Sequence, residues 1–172
     1  MKELLMATAE YNRKATETLI TLLESVPADT REKDAGLYFR SMDGVLEHLA
    51  WAGLLWLKRF ASFGDYPVLK ASPLVALDLE EARSAIKGNA KETIALLRNT
   101  NSLMAEFIAA LPEAELPRRV TYRTTDGQEM QRILWHTLMQ ALNHGTHHRG
   151  ELSAVLDQHK IKNDLNNFIS YV

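Results

Sequence analysis

The stretch Trp135–Glu151, WHTLMQALNHGTHHRGE, constrains this chain more than any other. It holds four of the six histidines, His136, His144, His147 and His148. It has no proline and is bounded by good helix formers, so the middle of one long helix is predicted. Residues three and four apart share a helix face. Ile133, Thr137, Ala141, His144, His148, Leu152 and Val155 form one such stripe, apolar at both ends with two imidazoles one turn apart at its centre. A helix turns a stripe of this kind inward.

Burying two imidazoles side by side leaves ring nitrogens to satisfy, which is costly without a partner. A divalent metal is one such partner, and histidines at i and i+4 can reach a single ion. A pair of hydrogen-bonded core histidines is the competing reading. His48 favours the metal. It lies in RSMDGVLEHLAWAGLLWLKRF, within a stripe of Val45, Ala52 and Leu55, and is again central on an apolar helix face. Three histidines on two helices that can pack together point to a metal site.

The chain carries a net charge of −2, and its basic residues cluster no further than pairs such as Lys58-Arg59 and Arg118-Arg119. Nucleic acid is excluded as a partner on this reading, because phosphate binding needs a concentrated positive face. Cysteine is absent. Thiolate ligands, disulfides and a cysteine nucleophile are therefore ruled out, and a metal must be held by imidazole and oxygen. The opening MKELLMATAEYNRK has charges in its first turns and does not read as a signal peptide. No apolar run reaches the ~18 residues of a membrane span. A cytoplasmic protein with no membrane partner is expected.

With 172 residues and about 150 residues per domain as the prior, one domain over 1–172 is expected. The first helix is predicted over Lys2 to about Val26, ended by Pro27. A polar loop follows to Arg40. The second helix runs from about Ser41, its N-cap, to about Phe63. Residues 64–77, GDYPVLKASPLVAL, read as a long loop covering the site near His48. Asp78 with Glu81 resembles a capping box, and the third helix should continue from there to about Leu111. Arg119–Thr124 is β-rich and alternating, followed by the turn residues Asp126-Gly127. A small extended segment or hairpin is predicted there. Thr125 to Gln128 has the form of another capping box, which places the fourth helix from about Gln128 to about Gln158. A short final helix passes through Phe168 and Tyr171. The expected fold is all-α, a four-helix bundle with a short extended segment before the last long helix.

Di-iron carboxylate bundles use Glu-x-x-His motifs. Neither that motif nor His-Glu-x-x-His occurs here. A mononuclear, histidine-rich site remains.

With these residues in place, the chain resembles the DinB family, the DinB/YfiT-like metalloenzymes. Three segments carry the match. They are Ser41–Phe60, with Val-Leu-Glu-His48-Leu and its aromatic-rich continuation, the turn Thr125-Asp126-Gly127, and HTLMQALNHGTHHRG, similar to the family's terminal His-x-x-x-His-Arg signature. The resemblance implies an up-down-down-up bundle and a metal triad at His48, His144 and His148. It also implies thiol-dependent transfer or isomerisation with a low-molecular-weight thiol such as bacillithiol or mycothiol in some relatives, and frequent pairing as homodimers.

Three neutral imidazoles bind Zn²⁺, Ni²⁺ or other late first-row ions. They leave a position for water or substrate, as catalytic sites do. Such an ion acidifies a bound water toward ~7 or polarises a thiolate or carbonyl. A metal-dependent enzyme acting on a small molecule, by thiol transfer or hydrolysis, is the leading expectation. A non-catalytic binding or stress-response module and a purely structural histidine cluster compete with it. No carboxylate is an evident general base. Asn143 and Glu151 lie within a turn of the triad and either orient its rings or sit at the surface. His147 lies about 60° round the helix from His144 and is expected at the rim. His136 is a structural or pocket-lining residue on the same flank. Arg149 is expected to salt-bridge another helix, and Asn12 is a pocket candidate. Trp51, Trp56 and Trp135 are expected in the core or an interface. His159 follows the end of the last long helix and is assigned no chemistry.

Overall fold

The computed structural model describes all residues, Met1–Val172. It is mostly helical with one small antiparallel sheet. Helix α1 spans Lys2–Glu24, and a short α2, Ala28–Glu32, follows Pro27. Helix α3 spans Met42–Ser62. Ser41 caps it, its side chain accepting a hydrogen bond from Gly44 N at 3.0 Å. Two short helices, α4 (Pro67–Lys70) and α5 (Pro73–Ala76), occupy the connection read as a loop, each with proline at its start. Proline suits that position because its missing N–H is not needed there.

The predicted third helix is two helices, α6 (Leu79–Ile86) and α7 (Ala90–Ala110). Gly88 sits at φ +66°, and the Asn89 side chain accepts from Glu92 N, opening a new helix. A left-handed glycine followed by an asparagine cap stops one helix and starts another. Strands β1 (Arg119–Arg123) and β2 (Glu129–Ile133) then form a hairpin. Helix α8 is Leu134–Gln158, so it starts later than the predicted Gln128. Thr124 explains the difference. Its hydroxyl accepts from Gln128 N at 3.0 Å, and its N–H donates to Gln128 O, which closes the hairpin turn around Gly127. The first N–H groups of α8 are satisfied by the hairpin's leading segment, Leu134 N donating to Arg118 O and Trp135 N to Leu116 O. A single 3₁₀ turn, Phe168–Ser170, stands where the short final helix was expected.

The four long helices α1, α3, α7 and α8 pack on one another. Their apolar residues form two separate clusters. One holds Leu19, Val45, Leu97 and Leu152, and the other holds Leu5, Phe60, Phe107 and Leu138. Between them each long helix contributes polar or small groups: Asn12 and Thr16, Gly53, Thr100, and Gly145 with Arg149. Gly53 permits a close approach of α3 to Thr100 of α7. A Cβ there would lie 2.9 Å from Thr100 Oγ1.

The segment 64–77 does not cover His48. Tyr66 and Leu69 belong to the second cluster, and Lys58 holds the Val75 and Leu77 carbonyls at 2.9 and 2.6 Å. Lys58 is ten residues from His48 along a helix, about 15 Å. The cover comes instead from the loop before α3. No helix is long and apolar enough to cross a membrane.

Candidate metal centre

His48 from α3 and His144 and His148 from α8 converge, with His144 at the edge of the layer described above. The Nε2 atoms of His48 and His144 are 2.9 Å apart, and those of His144 and His148 are 3.0 Å apart. These are the three histidines expected on inward helix faces, and the fold brings all of them together. His148 is 5% exposed, and the other two are half-buried.

Phe39 lies against the triad. Its ring stacks on His48 at 3.8 Å between centroids and meets His148 edge-on at 5.6 Å. A tight turn presents it: Ala35 N donates to Arg40 O, Leu37 bridges Arg40, and Arg40 adopts φ 69°. Arg31 fastens this loop by an ion pair to Asp43 at 3.0 Å and by donating to the Leu23 and Val26 carbonyls. Sequence reasoning missed Phe39. Its only signal is the short run Leu37-Tyr38-Phe39 just before the α3 N-cap in a loop that is polar before it.

On the other side, His148 Nδ1–H donates to Glu151 Oε2 at 2.6 Å. A carboxylate in that place fixes the ring and directs the Nε2 lone pair into the site. Glu151 Oε1 also lies 3.3 Å from His147 Nε2, and His147 is 62% exposed at the rim. His147, His148 and Glu151 form a second close group. Its His148 nitrogen is already engaged by Glu151, so it supports the triad rather than adding an ion site. Asn143 is exposed and takes no part.

The donors fit a divalent ion. Nitrogens about 2.05 Å from a tetrahedral zinc stand about 3.3 Å apart, close to the separations here. Burial, then the neighbouring imidazoles, pushes the His48 pKa down to about 3, and the same causes push His144 down to about 4. Both rings are neutral at pH 7 and keep a lone pair for a cation. The converging group has three members and includes no carboxylate.

The model of the DinB family matches residues 1–159. The chain belongs to the DinB family. It is 25% identical over 150 residues to the protein DinB of Bacillus subtilis (strain 168), covering 87% of this chain and 82% of that protein. No solved structure matches it.

In this DinB-family chain Arg149 departs from its expected role. Arg149 forms no salt bridge. It is 1% exposed, its Nη2 donates to Asn12 Oδ1 and Thr146 Oγ1, and its guanidinium lies 4.5 Å over the Tyr11 ring. Its Nε has no partner. Asn12 in turn donates to Leu142 O at 2.8 Å. Asn12, Arg149 and His144 border a small cavity of about 40 Å³. Asn12 thus lines a cavity, with Arg149 and the Leu142 carbonyl as its hydrogen-bond partners there. His136 lines a separate surface pocket with Gln140. Trp51, Trp56 and Trp135 are half-buried against the two clusters.

Proposed function

We propose that this protein is a metal-dependent enzyme built on an up-down-down-up four-helix bundle of α1, α3, α7 and α8. In it His48, His144 and His148 hold one divalent ion, zinc or nickel, with a position left for water or a thiol. The reaction acts on a small molecule, by thiol transfer or hydrolysis. The supporting observation is the convergence of three neutral imidazoles with no fourth protein donor among them. The ion, when bound, supplies Lewis acidity toward a thiolate, carbonyl or water.

The chain's own residues do the rest. Glu151 orients His148 and His147. Phe39 shields one side of His48 from water and holds its ring plane. Membership of the DinB family makes a low-molecular-weight thiol the first co-substrate to try.

One observation favours a second reading, a binding module without turnover. The nearest carboxylate, Glu151, is shared by two imidazoles and is not free to move a proton. Assay of the metal-loaded protein against thiol-transfer and hydrolase substrate panels, beside His148→Ala, separates the two. Turnover lost in the variant supports the enzyme. Stoichiometric metal with no turnover on any substrate supports the module.

A further inference from the structure

A second pocket, of about 470 Å³, lies where the hairpin covers α3 and the start of α8. Its lining includes Arg59, Arg132 and His136 and no carboxylate. The two arginines are placed differently but share one property. Arg59 is half-buried, with its guanidinium 4.9 Å from the Trp56 ring centre and 5.1 Å from that of Tyr122. Its Nη2 donates to Arg123 O at 2.9 Å. Arg132 is on β2, opposite Val120 on β1, and Tyr122 opposes Met130. Val120, Tyr122, Met130 and Arg132 thus share the hairpin face turned toward the helices, because side chains alternate along a strand and oppose in pairs. A charge on that face is unusual. The ion pairs nearby are Arg118–Glu115 and Arg123–Glu129, and neither Arg59 nor Arg132 has a carboxylate within 4.0 Å.

A guanidinium held by two rings and a carbonyl, partly dehydrated and without a counter-ion, has its donors fixed in advance. Its planar fork matches a carboxylate or phosphate. We infer that this pocket binds the oxyanion group of a small organic ligand, a carboxylate or a phosphate. Arg59 and Arg132 supply the donors, and Trp56 and Tyr122 supply a wall for the ligand's flat or apolar body. His136, Gln140 and His144 follow one another at four-residue steps on α8, so along the helix the pocket reaches from about 12 Å at His136 to about 6 Å at Gln140 from His144. A molecule anchored here with that reach presents its other end at His144. The anion site itself does not depend on the metal reading.

Calorimetric titration of the full chain with phenyl phosphate, benzoate and the neutral benzyl alcohol tests this, in metal-loaded and chelator-treated protein. At least one anion should bind in both forms, and benzyl alcohol at least about tenfold more weakly. Arg132→Gln and Arg59→Gln should each weaken the anion about tenfold or more, the loss expected for one charged hydrogen bond. The tighter of the two anions identifies carboxylate or phosphate as the natural group. Arg132 is exposed, so its variant folds even if Arg59→Gln does not. Equal binding of benzyl alcohol, unchanged affinity in Arg132→Gln, binding that vanishes with the metal, or no binding of either anion overturns the inference.

Discussion

His148 and Glu151 are joined at 2.6 Å, Nδ1 to Oε2, across one turn of α8. The carboxylate takes the Nδ1 side of the ring while Nε2 meets His144, so it bears on the site through the ring it holds. Glu151→Ala should therefore leave the fold intact while lowering metal affinity about 10- to 100-fold. Competition with a chromophoric chelator measures this. Affinity equal to wild type would show that the hydrogen bond has no part in presenting His148.

Phe39 stacks on His48 from outside the four long helices. Phe39→Ala removes that cover and part of a half-buried ring. A loss of about 1–2 kcal/mol is expected, below the range for a fully buried phenylalanine. Metal transfer to a chelator should also speed up several-fold. Unchanged transfer kinetics would mean that metal leaves by another side.

The depressed histidines link stability to pH in the metal-free protein. The His48 and His144 pKa values lie at about 3 and about 4 in the folded chain, against 6.5 for an ordinary imidazole. As pH falls below 6.5 the unfolded chain takes up protons first, so stability drops from there until the folded pKa values are passed. Melts of chelator-treated protein at pH 7 and pH 5 read the effect. The fall in Tm should be smaller in His48→Gln than in wild type, and an equal fall would contradict the linkage.

Arg149 is a buried cation held by neutral groups, with Asn12 Oδ1 its main acceptor. Asn12→Ala strands that guanidinium further and should cost about 2–3 kcal/mol by denaturant unfolding. Combining it with Arg149→Met should cost less than the sum of the two single changes. Strict additivity would mean that the pair is not coupled.

The histidine triad was legible because helical spacing is the strongest local signal a sequence carries. Apolar residues above and below His144, His148 and His48 fixed which way each ring faces. The hairpin was half legible. RVTYRT alternates clearly, but EMQRI does not, because Arg132 stands where an apolar residue would continue the pattern, and the capping form from Thr125 to Gln128 hid it further, since threonine hydroxyls close turns as readily as they cap helices. Gly88-Asn89 is a stop and a start that the single helix predicted from Asp78 to Leu111 runs through. Phe39 and the neutral cradle of Arg149 were not legible. Both depend on which distant residues the packing brings together, Phe39 on His48 and Arg149 on Asn12 and Tyr11.

The most direct test of the central claim is the metal content of the reconstituted protein, measured by elemental analysis beside His48→Ala. About one divalent ion per wild-type chain, and its loss in the variant although His144 and His148 remain, is the expected result. No metal in the wild type after reconstitution, or full metal in His48→Ala, would contradict a site shared by α3 and α8.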